Sequence, residues 1–201
     1  MYDWRKMTWE QREEALGHRR SKHFPWHSPP HQDRGEGAYH VTAACYEHQP
    51  IIGVSPKRMA ECELRLLETI KSHVEGVLAW CVLPNHYHLL IETNGIAAVI
   101  ASIGQFHGRH AYRWNREDDA RGRRVWHNCT ERKIRSERHF WATMNYVHHN
   151  PVHHRYVRQW QDWPFSSASV FLAHVGKEKA VRIWNDYPIL EYGRGWDEPE
   201  M

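Results

Sequence analysis

A chain of 201 residues with a net charge of +3 and a mean hydropathy of −0.80 has room for one domain with extensions, and none of its apolar runs approaches the ~18 residues that a membrane helix needs. Its start, MYDWRKMTWEQREEALGHRR, lacks the apolar segment and small-residue cleavage site of a signal peptide, so a cytoplasmic protein with no membrane contact is expected. The four cysteines, Cys45, Cys62, Cys81 and Cys129, form no CxxC pair and are expected to be reduced, partly buried thiols rather than zinc ligands or disulfides.

Residues 1–37 read as an N-terminal arm. Thr8 followed three residues later by Gln11 is a capping-box pattern and predicts a short helix to Arg20. The prolines and glycines between His23 and Gly37 predict a looped path. The core begins at Ala38, and the β-branched and aromatic stretch Tyr39–Tyr46 predicts a strand. From Pro56 to about Glu75, Met59, Cys62, Leu66 and Ile70 recur at helical spacing, with Gly76 expected to stop the helix. Val77–Leu83 and His86–Glu92, split by Pro84–Asn85, predict an antiparallel hairpin. A helix is expected from Ile96 to Asn115, a charged loop over 116–124 and a short strand within 124–134. A last helix runs from Ser136 to His149, where Asn150–Pro151 is expected to end it because a residue before proline disfavours the α region. The remainder from Val152, with Trp160, Trp163 and Phe165, is expected to pack back on the core.

Two places carry chemistry. His86 and His88 lie two apart on a strand, so both rings project from one face and can converge on an ion while Tyr87 points away; two hydrogen-bonded histidines are the alternative. On the last helix Tyr146 and Asn150 sit one turn apart with His149 adjacent, which suits a tyrosine nucleophile or, alternatively, an aromatic core residue. The charge is too small to indicate a nucleic-acid partner, but 18 histidines and 11 tryptophans are many for this length. In His107–Trp114 basic and aromatic side chains interleave, which makes Arg109, Arg113 and Trp114 candidates for phosphate contact and base stacking, unless the aromatic residues serve the core.

Taken together, Trp80–Cys–Val–Leu–Pro–Asn–His–Tyr–His–Leu–Leu–Ile91, Tyr146–Val–His–His–Asn–Pro–Val152 and Trp160–Gln–Asp–Trp–Pro–Phe–Ser–Ser167 closely resemble the HUH single-tyrosine transposases of bacterial insertion sequences, and among them the REP-associated tyrosine transposases, over about residues 38–172. The resemblance implies an α+β fold, a ferredoxin-like antiparallel sheet with packed helices (the HUH endonuclease fold). The catalytic domain would span 38–172, between the arm and a C-terminal extension at 173–201. It implies Mg²⁺ or Mn²⁺ on His86, His88 and Asn150, and Tyr146 as the nucleophile that nicks single-stranded DNA beside a REP-like hairpin, leaving a 5′-phosphotyrosine and a free 3′-hydroxyl. His149 and Arg155, in and just after the second motif, are further candidates for DNA contact.

The chain departs from the family pattern after Asn-Pro-Val, where His153 replaces a basic residue and His154–Arg155–Tyr156 replaces a glycine-containing turn; DNA-backbone contacts there are expected to be weaker or pH-sensitive. Tyr87 and Tyr156 lack the motif position. The arm, with Arg19, Arg20, Lys22 and Trp26, either clamps DNA or covers the sheet, and the protein is a monomer or a homodimer. Three rival readings stand beside the enzyme: a catalytically inactive or domesticated repeat-hairpin DNA-binding protein, a metal-dependent hydrolase with water as nucleophile, and a structural histidine-rich domain.

Overall fold

The computed structural model describes residues 8–21, 35–190 and 192–193, and the chain divides into two units, Met1–Gln32 and Asp33–Met201. In the first, α1 (Trp9–Ser21) starts at the expected capping box: Thr8 N–H donates to Gln11 Oε1 at 2.9 Å and Gln11 N–H to Thr8 Oγ1 at 3.3 Å, which satisfies two donors that a helix start leaves open. The loop expected from His23 lies outside the described residues as far as Arg34, as do Lys22, Trp26 and the side chains of Arg19 and Arg20.

The second unit is built on β1 (Gly37–Ala44), α2 (Pro56–Ile70), β2 (Gly76–Val82), β3 (His86–Thr93), α3 (Ile96–Glu117), β4 (Thr130–Lys133), α4 (Glu137–His153), α5 (Ala168–Val175) and α6 (Lys177–Asp186). The four strands form one sheet in the order β2-β3-β1-β4, every neighbouring pair antiparallel. This is the βαββαβ arrangement of the expected ferredoxin-like fold, in which β3 is bonded on both sides.

Strand parity divides the two faces. Tyr39, Val41, Cys45, Tyr87, Leu89 and Ile91 pack with Met59, Cys62, Leu66, Ile70, Val99, Ile103, Phe106 and Trp114 of α2 and α3. On the other face Ala79, Cys81 and Leu90 pack with Met144 and Val147 of α4. All four cysteines are free and buried, as expected. No helix among the described residues is long and apolar enough to cross a membrane.

Element ends differ from the sequence expectation where tertiary contacts intervene. Gly76 opens β2 instead of closing α2: the helix stops at Ile70, and Glu75 N–H already bonds Glu92 O at 2.8 Å across the hairpin. The short strand expected within 124–134 is β4, four residues long, and the chain around Trp126 meets the end of β1 through a single bridge to Cys45. The last helix does not end at His149. It starts at the Ser136 cap, whose Oγ accepts from His139 N–H at 3.2 Å, and runs through Pro151 to His153. Proline removes one hydrogen bond, and here it does so in the final turn, where His154 N–H still reaches Asn150 O at 3.0 Å and burial of Pro151 offsets the loss. The C-terminal stretch packs back as two helices, α6 receiving Asn145 of α4 through a bond from Asn145 Nδ2 to Tyr187 O at 2.9 Å.

Candidate active site

β3 supplies the first two side chains. It is an inner strand with both faces covered, so His86 and His88, on the α4 side of the sheet, are fully buried, with ring centroids 5.0 Å apart. α4 lies over them and contributes Tyr146 and Asn150 one turn apart, 5 % and 1 % exposed. The Tyr146 ring meets the His88 ring edge-on at 5.1 Å, and Asn150 Oδ1 lies 3.1 Å from His86 Nε2. The continuation of α4 through Pro151 is what keeps Asn150 helical and facing the sheet. The four residues singled out in the sequence therefore meet at one place.

The donor set fits a divalent cation. Asn85 Oδ1, a pure acceptor, lies 2.7 Å from His86 Nδ1, which places a ring proton on Nδ1 and, in the neutral ring, a lone pair on Nε2. That lone pair faces Asn150 Oδ1, while Asn150 Nδ2 is buried with no hydrogen-bond partner among the described residues. In the neutral ring the Nε2 lone pair and the Asn150 oxygen stand 3.1 Å apart, an arrangement that a bound cation or a second ring proton would satisfy. Adjacent ligands of an octahedral Mg²⁺-sized ion stand about 3.0 Å apart, so the spacing of these two atoms fits a cation. Two imidazoles and one amide oxygen leave positions open for phosphate oxygens. Among the described residues no group of three or more His, Cys, Asp or Glu side chains is placed to hold an ion, so a site here depends on Asn150 as its third ligand.

The surroundings include residues that the motifs did not flag. His40 on β1 is buried, and its Nε2 lies 3.1 Å from His88 Nδ1. The His154 ring stands 5.0 Å from that of His86. Gly193, with φ +83°, closes over one edge of Tyr146: a β-carbon there would lie 2.1 Å from Tyr146 Cε2, so only glycine allows this approach. His40 had a sequence signal, since the alternation Tyr39/His40/Val41/Thr42 puts it opposite the apolar face, but its partner follows only from the strand pairing. Tyr192 and Gly193 had none.

The expected DNA-contact residues scatter. Arg109 is exposed on α3, across the sheet from the histidines. Arg113 is held by ion pairs to Glu61 and Glu117. Trp114 is fully buried, with the Arg58 guanidinium 5.5 Å from its ring, and so has no face to offer a base. His149 is half-buried against Trp184 at 4.6 Å, burial lowering its pKa. Arg155 is exposed just past α4, at φ +61°. Of the other tyrosines, Tyr87 is fully buried on the α2/α3 side, with its hydroxyl 3.0 Å from His107 Nε2, and Tyr156 is half-exposed and stacks on Trp163.

A Haemophilus influenzae protein described as a REP-associated tyrosine transposase is 31 % identical over 141 residues, which cover 62 % of this chain and 74 % of that protein. The chain belongs to the REP-associated tyrosine transposases. A solved structure, that of a REP-associated tyrosine transposase bound to a REP hairpin, has the same fold: its TM-score is 0.57 over 73 % of this chain and 85 % of that one, at 18 % identity. No family model matches. The buried constellation lies on β3 and α4, and the cover that Gly193 forms over Tyr146 belongs to the C-terminal segment.

Proposed function

We propose that this REP-associated tyrosine transposase nicks and rejoins single-stranded DNA beside a REP-like hairpin, with Tyr146 as nucleophile and Mg²⁺ or Mn²⁺ on His86, His88 and Asn150. The observation that carries the reading is the convergence of β3 and α4, which sets the Tyr146 ring against His88 and Asn150 Oδ1 3.1 Å from His86 Nε2. A divalent ion held there would polarise the scissile phosphodiester and offset the charge that gathers on its oxygens.

Tyr146 attacks phosphorus through Oη. The O–P bond forms as the bond to the 3′-oxygen breaks; the phenol gives up its proton and the departing 3′-oxygen gains one. A 5′-phosphotyrosine keeps the phosphodiester energy, so a 3′-hydroxyl can attack it in turn and rejoin strands without a nucleotide cofactor. Tyr146 is held for this by the packing of α4 on the sheet and by the rings of His88, His40 and Tyr192 around it. His149 within the second motif and Arg155 just after it lie on or next to the helix that carries Tyr146, whereas Arg109 and Arg113 would meet DNA only on the α2/α3 side. We place the enzyme in the cytoplasm, as a monomer or homodimer.

Single-stranded oligonucleotides carrying the hairpins that flank the protein's own gene test the reading. Cleavage is expected with Mn²⁺ or Mg²⁺ and is lost with a chelator; His86→Ala and Asn150→Ala lose it as well. Hairpin binding without cleavage under any metal would instead make the protein a repeat-hairpin binder.

A further inference from the structure

From His88, four contacts run in series through the protein. His88 Nδ1 lies 3.1 Å from His40 Nε2, His40 Nδ1 3.3 Å from Tyr192 Oη, Tyr192 Oη 2.8 Å from Thr143 Oγ1, and Thr143 Oγ1 2.7 Å from His139 O. The series passes from β3 to β1, through the C-terminal segment, and ends on α4. His88, His40 and Thr143 are buried, where a broken link is costly because water cannot replace it.

The direction of the series is fixed at its end. A peptide carbonyl only accepts, so the single hydroxyl proton of Thr143 points at His139 O. Thr143 Oγ1 then receives the proton of Tyr192, and Tyr192 Oη turns a lone pair toward His40. His40 therefore carries its proton on Nδ1 and a lone pair on Nε2, and that lone pair takes the proton of His88 Nδ1. The reverse order would need a proton on the carbonyl.

We infer that His40, Tyr192 and Thr143 are positioning residues that lock His88 as its Nδ1–H tautomer, so that Nε2 presents a lone pair to the ion. Asn85 does the same for His86 through its 2.7 Å contact, so both ligand rings are set alike before any metal arrives. Partners on the second ring nitrogen of a ligating histidine are worth about 10–100-fold in metal affinity. The relay also ties the C-terminal segment to the site through the Tyr192 hydroxyl. The part of this inference that concerns the ion rests on the proposed metal site; the tautomer does not.

Long-range ¹⁵N–¹H correlation spectra of the metal-free full chain, labelled at histidine, read the tautomer directly. The wild type is expected to show His88 protonated on Nδ1; an Nε2–H ring or a mixture of tautomers overturns the relay. Mn²⁺ titration followed by electron paramagnetic resonance reads the consequence. His40→Phe is expected to weaken binding about 10-fold or more, while His40→Gln, whose amide oxygen can take the His88 proton, restores most of it. Tyr192→Phe keeps the ring and deletes only Oη, so it serves if His40→Phe fails to fold, and is expected to leave His88 a mixture of tautomers. Unchanged Mn²⁺ affinity in His40→Phe, or an unchanged tautomer in Tyr192→Phe, overturns the assignment. A wild type that binds no Mn²⁺ sinks the metal site and leaves the spectra to decide the relay.

Discussion

Single residues set the site through close approaches. Gly53 lies against the turn that precedes His86: its N–H donates to Pro84 O at 2.8 Å, and a β-carbon would stand 2.4 Å from Pro84 Cβ and 2.9 Å from Pro84 Cα. The obstacle includes backbone, so it cannot swing aside. Gly53→Ala is expected to destabilise the protein by about 1–3 kcal/mol and to weaken Mn²⁺ binding by displacing Asn85 and His86; urea denaturation and a metal titration measure the two effects. Sequence spacing showed which residues share a face, because His86 and His88 obey the two-residue period of a strand and Tyr146 and Asn150 the four-residue step of a helix. It could not show Gly53 against Pro84, or His40 against His88. Those contacts depend on which strands and loops become neighbours, and nothing local encodes that.

At the scale of elements, α2 and α3 are clamped together at one end by Arg58, a nearly buried guanidinium at the start of α2. It donates from Nη1 to Asp118 Oδ2 at 2.9 Å and from Nη2 to Glu117 Oε2 at 3.1 Å, and Arg123 meets Asp118 from the other side at 2.7 Å. Asp118→Asn leaves Arg58 short of its partner and is expected to cost about 1.5–3 kcal/mol in chemical denaturation. The hydrogen bond from Arg58 chiefly, and that from Arg123, hold the Asp118 carboxyl down at about 2 against an ordinary 3.8. A depressed carboxylate stabilises the fold above its unfolded value. The wild-type advantage over Asp118→Asn is therefore expected to be whole above about pH 4 and to fade as the pH falls through about 2. The helices of this pair and the hairpin were legible because each has a long apolar period or a marked turn. The end of α4 was misjudged because the rule about proline is local, and packing outweighed it. α5 and α6 went unseen because they are short, eight and ten residues.

For the whole molecule, two buried imidazoles lie away from the proposed site. His148 Nε2 contacts Ser167 Oγ at 2.9 Å and His107 Nε2 the Tyr87 hydroxyl at 3.0 Å; burial pushes both down to about 3 from 6.5, with His110 adding a smaller push on His107. The unfolded chain takes up these protons below pH 6.5 and the folded one does not. Stability is therefore complete above that value and is lost toward pH 3, on the order of 1 kcal/mol per pH unit for each histidine. Melting curves at pH 7.5 and pH 5 are expected to show a clearly lower midpoint in acid, and equal midpoints would contradict the buried neutral rings. The central claim is that this fold exists to bring Tyr146 to a DNA phosphate. The most direct test is to incubate the full chain with its flanking hairpin oligonucleotides and Mn²⁺, digest both partners and map the linked peptide by mass spectrometry. A nucleotide phosphate on the peptide carrying Tyr146, absent from a Tyr146→Phe variant that still binds the hairpin, is the predicted result. Cleavage with no protein adduct, or an adduct on another tyrosine such as Tyr156, would contradict it.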